Sequence, residues 1–204
     1  MFTGIVQEIG LVSHKEETDA GITLQINTSS RFLKDLNIGA SIAVNGVCLT
    51  VINFSKNKVS FDVIPETLRV TNLKFISKGS EVNLERSLKF GDEIGGHILS
   101  GHIMATGIIH SRVESGDQMT FSILASPSTH KYLTEKGYIA IDGISLTVGE
   151  VENGIFHLHI IPETLRLTTL GSKQIGDVVN LEIDSNTQLI VETIERLMKD
   201  RGVE

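Results

Sequence analysis

Short stretches in which apolar and polar residues alternate dominate the chain and predict β-strands separated by glycine-containing turns. Residues 41–54 (SIAVNGVCLTVINF) hold two such stretches around Asn45-Gly46, a dipeptide typical of a tight hairpin turn. Asp142-Gly143 occupies the corresponding place further along the chain. The other predicted strands include residues 3–13, which are bent by two glycines, and residues 22–28, 58–64, 81–86 and 119–125.

Helical patterns are few. Residues 29–36 and 128–136 each begin with serine and predict short capped helices. Pro65-Glu66 predicts the first turn of another short helix, because proline suits that position and the acidic residue faces the positive end of the helix. Residues 187–200 predict a longer amphipathic helix, whose apolar face consists of Leu189, Ile190, Ile194, Leu197 and Met198.

The pattern occurs twice. Residues 39–85 align with residues 136–182 at a constant offset of 97 without a gap, and 19 of the 47 aligned positions are identical. A repeat of this length is a small domain rather than a solenoid unit. We therefore predict an all-β protein with two tandem, closely similar six-stranded Greek-key β-barrels followed by a C-terminal α-helix. The predicted boundaries are 1–97, 98–186 and 187–204.

Composition narrows the class of protein. The net charge is −7 and there is no basic run, which argues against nucleic acid as a partner, and 5% aromatic residues with no Trp argue against an oligonucleotide-binding barrel. Cys48 is the only cysteine, so an intramolecular disulfide is impossible and a reducing compartment is favoured. There is no secretory signal pattern and no apolar run of about 18 residues. These features predict a cytoplasmic protein.

Chemistry is indicated by the differences between the two copies. The sequence has no metal-ligand pattern, no dinucleotide-binding or phosphate-binding glycine motif and no nucleophile elbow, so we predict neither a metal nor a cofactor. Positions that act in one copy only are free to diverge. The diverged pairs are Cys48/Ser145, Ile5/His102, Ser41/Tyr138 and Asp62/His159, whereas both copies keep IPETLR.

Each feature also has a purely structural interpretation. Cys48 is typical of a small buried side chain, and an isolated histidine such as His102 more often serves structure than catalysis. The IPETLR segments can be turns that close a barrel, the glycine-rich junction 87–102 a linker, and the last helix a core or oligomer helix. The pattern alone thus indicates a duplicated barrel that binds two similar small ligands.

The residues MFTGIV, NGVCLTV, PETLR, LERSLKFGDEIGGHILSGH and DGISLTVGEV together resemble the riboflavin synthase family of the alpha-chain type, over essentially the whole chain. The resemblance implies a homotrimer in which each barrel binds one 6,7-dimethyl-8-ribityllumazine. It implies transfer of a four-carbon unit between two such molecules, giving riboflavin and 5-amino-6-(ribitylamino)uracil, without a cofactor. It leaves open an association with lumazine synthase.

The resemblance also implies a set of substrate contacts. In the first barrel these are Gly4, Ile5, Val6, Cys48, Leu49, Thr50, Asp62, Val63, Ile64, Pro65, Glu66, Thr67, Gly101, His102 and Ile103. In the second they are Lys136, Ser145, Leu146, Thr147, Ile160, Ile161, Pro162, Glu163, Thr164 and Leu165. The reacting pair is expected to lie between the first barrel of one chain and the second barrel of a neighbour.

For catalysis we predict His102 as the residue that moves a proton of the C7 methyl group, because histidine titrates near neutral pH. His97 lies close in sequence and stays an alternative. Cys48 or Ser145 would add to the acceptor ring, hydrogen-bond it or orient a water, with Ser41 and Thr147 in support. Lumazine proteins of luminous bacteria resemble this family but only bind the ligand, so a non-catalytic antenna protein is the alternative function.

Overall fold

A computed structural model describes residues 1–202 and shows a mostly β chain with two sheets and a C-terminal helix. The strands are β1 (Glu8–Thr18), β2 (Gly21–Asn27), β3 (Ser41–Val44), β4 (Val47–Ser55), β5 (Lys58–Val63), β6 (Glu81–Arg86), β7 (Ala105–Ser115), β8 (Gln118–Leu124), β9 (Tyr138–Ile141), β10 (Ile144–Thr147), β11 (Val151–Glu152), β12 (Ile155–Ile160) and β13 (Val178–Ile183). The α-helices are α1 (Pro65–Val70), α2 (Pro162–Leu167) and α3 (Ser185–Asp200).

The first half is a closed six-stranded antiparallel barrel, as predicted. Its strand order is β1-β2-β5-β4-β3-β6. Alternate residues point inward, and Leu24, Ile26, Val59 and Phe61 are completely buried in its core. Burial of one face by alternating side chains sets the strand register, because a shift of one residue would move every apolar side chain to the surface.

The second half repeats this plan, but it forms a seven-stranded sheet that is not closed, where a closed six-stranded barrel was predicted. The order is β10-β9-β13-β7-β8-β12-β11, and the segment that corresponds to β4 is split into β10 and β11. Between them the chain bulges at Gly149, whose N–H donates to the His157 carbonyl at 2.8 Å. The His157 N–H in turn donates to the Glu150 carbonyl at 3.0 Å, so the interrupted strand stays beside β12.

Three predicted elements differ from the structure. Residues 29–36 form a series of turns rather than a helix. The Ser29 hydroxyl does accept the Phe32 backbone N–H at 3.1 Å, as a cap would. Asp35, however, has a φ of +55°, which is incompatible with a right-handed helix. The segment predicted as a helix at 128–136 is a 3-10 helix over Pro127–Tyr132. The strand predicted from residue 3 begins at Glu8, because the residues before it leave the sheet to contact the other barrel.

The final helix, α3, is present as predicted and begins at an Asp184 cap, whose Oδ1 accepts the Thr187 N–H at 2.8 Å. Tyr132 donates a hydrogen bond to Glu192 at 3.0 Å and ties the helix to the second barrel. Over residues 1–202 no helix combines the length and the apolar character that crossing a membrane requires.

The two barrels meet through their equivalent hairpin turns. Gly46 and Gly143 have φ values of +79° and +80° and pack so closely that a Cβ on Gly46 would lie 2.7 Å from the Gly143 nitrogen. Asn83 donates to the Asp142 carbonyl at 3.0 Å, and the equivalent Asn180 donates to the Asn45 carbonyl at 2.8 Å. The halves are therefore joined by matched buried hydrogen bonds about a pseudo-two-fold axis.

Candidate active site

The segments that precede the two barrels cross over, so that each one packs on the other barrel. Phe2 and its equivalent Leu99 pair through two backbone hydrogen bonds of 2.8 and 3.0 Å, and both side chains are buried between the barrels. After this bridge, Val6 packs against the core of the second barrel and Ile103 against the core of the first. Each barrel is thus covered by the leading segment of the other.

A glycine makes each of these crossings possible. The Gly4 carbonyl accepts the Ser145 N–H at 2.8 Å, and the equivalent Gly101 carbonyl accepts the Cys48 N–H at 3.0 Å. Both glycines have positive φ values, +76° and +80°, and a Cβ on either would lie 2.5 Å from the Cβ of Ser145 or Cys48. No residue with a side chain fits there, so the backbone comes within hydrogen-bonding distance of the diverged positions 48 and 145.

Two buried glutamates hold these segments in place. Glu85 accepts hydrogen bonds from the Thr3 N–H at 2.6 Å, the Thr3 hydroxyl at 2.8 Å and the Gly4 N–H at 3.0 Å. The equivalent Glu182 accepts the same three bonds from Ser100 and Gly101, at 2.7, 2.9 and 3.0 Å. Burial raises the pKa of both carboxyl groups above the ordinary value, while the hydrogen bonds oppose that change.

The raised pKa of Glu182 predicts a specific pH dependence of stability. A carboxyl group whose pKa is higher in the folded than in the unfolded state binds its proton more tightly when folded. Its contribution is complete below the unfolded value of 4.5 and is lost as the pH rises through the folded pKa. Glu182→Gln keeps an acceptor oxygen but cannot titrate. We therefore compare the free energies of unfolding of the wild type and the variant. The difference, wild type minus variant, should decrease as the pH rises from 4.5 to 7. Urea unfolding at several pH values measures this difference, and a rise with pH would contradict the prediction.

The first-barrel site forms on the outer face of β3 and β4. Ser41 pairs with Thr50 and Ala43 with Cys48 across these strands, so all four side chains share one face. Gly101 packs directly on Cys48, and the exposed His102 follows it, with its N–H on the Ser100 hydroxyl at 3.2 Å. The structure therefore brings together four predicted residues of this site: Ser41, Cys48, Thr50 and His102.

The second-barrel site is a cavity of about 180 Å³ beside Ser145. Its wall consists of Gly4, Ile5, Val6, Ile144, Ser145, Glu163, Thr164, Leu167 and Thr168. On the side of the junction, His97 Nδ1 lies 2.7 Å from Ser145 Oγ, and its ring stacks on Tyr138 at 5.1 Å. Burial lowers the pKa of His97, which keeps the imidazole neutral near pH 7.

The two IPETLR segments form the short helices α1 and α2, one beside each site. In each helix the glutamate accepts a two-pronged hydrogen bond from the arginine three residues later, Glu66 from Arg69 and Glu163 from Arg166. These bonds lower the pKa of both glutamates. Each glutamate is therefore an exposed carboxylate paired with its arginine, and Glu163 lines the second-barrel cavity.

Several predicted contacts lie elsewhere than expected. Gly4, Ile5 and Val6 were predicted for the first barrel, but the structure places them in the second-barrel cavity, because the leading segments cross over. The side chains of Leu49, Val63 and Ile160 point into the barrel cores and are at most 5% exposed, which leaves only their backbone for a ligand.

Lys136 takes a backbone conformation that is unusual for a lysine. Its φ is +65° at the position equivalent to Gly39, and its N–H donates to the Val148 carbonyl at 2.8 Å. The remaining predicted contacts are not buried: Asp62, Ile64, Pro65, Thr67, Ile103, Leu146, Thr147, Ile161, Pro162 and Leu165. Three of them, Ile103, Leu146 and Leu165, nevertheless pack partly against the barrel cores.

Two larger grooves, of about 600 and 620 Å³, are also present, and the second has the predicted contacts Ile5 and Val6 in its wall. One runs between the barrels past Phe75 and Lys173, and the other passes Arg31 and Arg86. Neither groove touches Cys48, Ser145 or the IPETLR glutamates.

Sequence reasoning missed the anchoring role of Glu85 and Glu182. Both end the VNLE segments that the copies share, and that identity was the available signal. It did not show that the carboxylates are buried against the leading segments, because that contact spans 82 residues.

Fold and candidate site define a class of protein: a duplicated β-domain with two equivalent candidate ligand sites, each covered by a leading segment of the other half. Comparison with known proteins agrees with this class. The family described as "Lumazine binding domain" matches residues 3–87 and 100–184. The solved structure of LumP complexed with riboflavin has a TM-score of 0.84 and 27% identity, covering 91% of this chain and 100% of that one.

Curated relatives extend along nearly the entire chain. A riboflavin synthase from Escherichia coli (strain K12) is 48% identical over 98% of this chain and 95% of its own length. One from Buchnera aphidicola subsp. Baizongia pistaciae is 46% identical over 98% and 94%, and one from Chlamydia pneumoniae is 45% identical over 99% of both. The chain belongs to the riboflavin synthase family.

Proposed function

We propose that this protein catalyses the dismutation of two 6,7-dimethyl-8-ribityllumazine molecules to riboflavin and 5-amino-6-(ribitylamino)uracil. One lumazine donates a four-carbon unit and the other accepts it, so the enzyme is a transferase. The observation that carries the proposal is the pair of equivalent sites with different chemistry, Cys48 with His102 in one and Ser145 with His97 in the other. A reaction between two identical substrates needs two similar pockets with unequal tasks.

The proposed roles follow the placement of the side chains. His102 is exposed beside Cys48, where it can take a proton from the C7 methyl group of a lumazine held on β4 and β5. Cys48 or Ser145 contacts the acceptor ring, by addition, by a hydrogen bond or through a water. Ser41 and Thr147 support these groups from neighbouring strand positions.

We assign the ribityl hydroxyl groups to the carboxylates of Glu66 and Glu163, because Glu163 lines the second-barrel cavity and Glu66 is its equivalent in the first barrel. Each carboxylate is paired with an arginine three residues later. Backbone groups near Val63 and Ile160 would pair with the edge of the ring system. The proposed substrate contacts thus use polar backbone and helix positions, while the apolar side chains of the same strands build the cores.

A lumazine-binding antenna protein is the alternative function. LumP, which has this fold, was solved in complex with riboflavin and with 6,7-dimethyl-8-(1'-D-ribityl) lumazine. The present chain is 27 and 25% identical to those structures but 45–48% identical to the riboflavin synthases named above. It also keeps Cys48, His102, Ser145 and both IPETLR segments, which supports the enzyme over the antenna.

We further propose that the active form is a homotrimer, with each reacting pair held between two chains. The exposed apolar face of α3 supports this, since Leu189 and Ile190 are 67 and 58% exposed and would be covered by a partner. The small second-barrel cavity also fits a site that a neighbour completes. Sedimentation should give three times the 22.3 kDa chain mass; a monomer at micromolar concentration would rule this out. A cytoplasmic location and an association with lumazine synthase stay predictions.

The function is tested by incubating the purified protein with 6,7-dimethyl-8-ribityllumazine alone. We expect two lumazines to be consumed for each riboflavin formed, with no added cofactor, as measured by absorbance and chromatography. His102→Gln, which keeps a polar side chain but removes the imidazole that would accept the proton, should reduce kcat by about 100-fold. Tight binding with stable lumazine fluorescence and no riboflavin would instead establish the antenna protein.

A further inference from the structure

Resting on the proposed function, we infer that His97 is a positioning residue that donates a hydrogen bond to Ser145, so that the Ser145 hydroxyl presents its own proton to the lumazine in the second-barrel site. The starting observation is the 2.7 Å distance between His97 Nδ1 and Ser145 Oγ. That geometry alone fits two opposite arrangements, one in which histidine accepts the serine proton and one in which it donates to the serine oxygen.

The surroundings of His97 hold it in one place. The His97 backbone N–H donates to the Thr3 carbonyl at 3.1 Å. The His97 ring stacks on Tyr138, and the residue is 7% exposed. The preceding Gly96 packs so tightly that a Cβ there would lie 2.2 Å from the Thr3 carbonyl oxygen and 2.8 Å from Ser145 Oγ. His97 is thus held by its backbone hydrogen bond, by stacking on Tyr138 and by the tight packing of Gly96 on Ser145. A side chain held in this way is suited to orienting the Ser145 hydroxyl.

The other ring nitrogen decides between the arrangements. Across residues 1–202, His97 Nε2 is buried and has no hydrogen-bond partner. If Ser145 donated to Nδ1, the neutral ring would carry its proton on Nε2 and leave a buried N–H unpaired, a situation that native structures rarely tolerate. If Nδ1 carries the proton and donates to Ser145, only a lone pair is left without a partner.

The second arrangement has a direct chemical consequence. A serine hydroxyl has one proton, and when its oxygen accepts from His97 that proton is free to point into the cavity that Ser145 lines. Ser145 then acts toward the ligand as a hydrogen-bond donor. The low pKa that burial gives His97 is consistent with a neutral ring in this role.

The arrangement also distinguishes the two sites. His97 lies in the junction, most of which has no counterpart in the repeat, so the equivalent position 48 is not served by a matching histidine. Ser145 would be an oriented donor, whereas Cys48 faces Gly101 with a thiol, a weak donor. The difference assigns the task of polarising a bound ring to the second-barrel site.

Four variants test the inference: His97→Phe, His97→Asn, Ser145→Ala and the double variant Ser145→Ala/His97→Phe. Phenylalanine keeps the ring and its stacking on Tyr138 but removes the donor, and asparagine keeps a donor near the Nδ1 position but removes the ring. We expect kcat/KM to fall about tenfold in His97→Phe and in Ser145→Ala, with no further loss in the double variant. His97→Asn should stay within about threefold of the wild type, with an unchanged pH profile.

Other results would overturn it. A purely packing role predicts the reverse order, with His97→Phe active and His97→Asn impaired, and additive losses in the double variant would show that His97 does not act through Ser145. If His97 were a general base, His97→Asn would be as slow as His97→Phe and would lose a limb of the pH profile. Should the wild type form no riboflavin, the proposed function fails separately, and the same ranking of variants is then read from the dissociation constant of 6,7-dimethyl-8-ribityllumazine.

Discussion

Gly101→Ala is expected to reduce riboflavin formation by about 100-fold or more, since displacing a reacting group by about 1 Å can cost that much. The added Cβ would lie 2.5 Å from the Cys48 Cβ and 2.9 Å from its nitrogen, on a residue whose φ is already +80°. The segment must therefore move away from β4, which breaks the 3.0 Å hydrogen bond to the Cys48 N–H and displaces His102.

Gly39→Ala is the matched control. Its φ of +86° imposes a similar conformational cost, but nothing lies within 4 Å of the added Cβ. Gly4→Ala should be as damaging as Gly101→Ala, because its Cβ would lie 2.5 Å from the Ser145 Cβ in the second-barrel site. Lumazine titration of the folded variants separates the two sites, and a folded Gly101→Ala protein with wild-type kcat/KM would show that the crossing does not shape the active site.

Asn180→Ala should lower the free energy of unfolding by about 4 kcal/mol, since each unpaired buried polar group costs about 1–3 kcal/mol. Asn180 is completely buried between the barrels. Its side-chain oxygen accepts the Asn72 backbone N–H at 2.6 Å, and its side-chain nitrogen donates to the Asn45 carbonyl at 2.8 Å. It also donates to Asn72 Oδ1 at 2.9 Å. Alanine would leave these partners without hydrogen bonds in a closed interface.

Calorimetry and urea unfolding measure this effect. The exposed Asn186 supplies the control, and its replacement by alanine should change the free energy of unfolding by less than about 0.5 kcal/mol. Because Asn180 connects the barrels, its variant should also unfold in two steps where the wild type unfolds in one. A single transition with an unchanged midpoint would mean that these bonds do not couple the two halves.

The duplication made much of the fold predictable. Apolar residues that alternate in both copies, and the Asn45-Gly46 and Asp142-Gly143 turns, are local signals that the structure confirms as hairpins, with one closed barrel and one open sheet. The C-terminal helix was also predictable, from the spacing of its apolar residues. Local patterns determine these elements because each strand buries one face and each turn needs residues that tolerate a positive φ.

The arrangement of the site was only partly predictable. That Cys48 and Ser145 hold equivalent places followed from the alignment, and a hairpin at Asn45-Gly46 was predicted, within which the structure pairs Ser41 with Thr50. Which barrel Gly4–Val6 would cover did not follow, because that contact joins residues about 140 positions apart. The same limit applied to His97, whose neighbour Ser145 is 48 residues away and whose surroundings in sequence look like a linker.

The exchange of leading segments has a consequence for the order in which the chain folds. During synthesis the first barrel emerges complete through β6, and Glu85 can already hold Thr3 and Gly4. The Gly4 carbonyl nevertheless has no partner until Ser145 has left the ribosome. The Cys48 N–H likewise has no partner until Gly101 has emerged. Contacts of such long range form late, so a nascent chain that ends before Gly101 is expected to carry a closed first barrel in which neither pocket is finished.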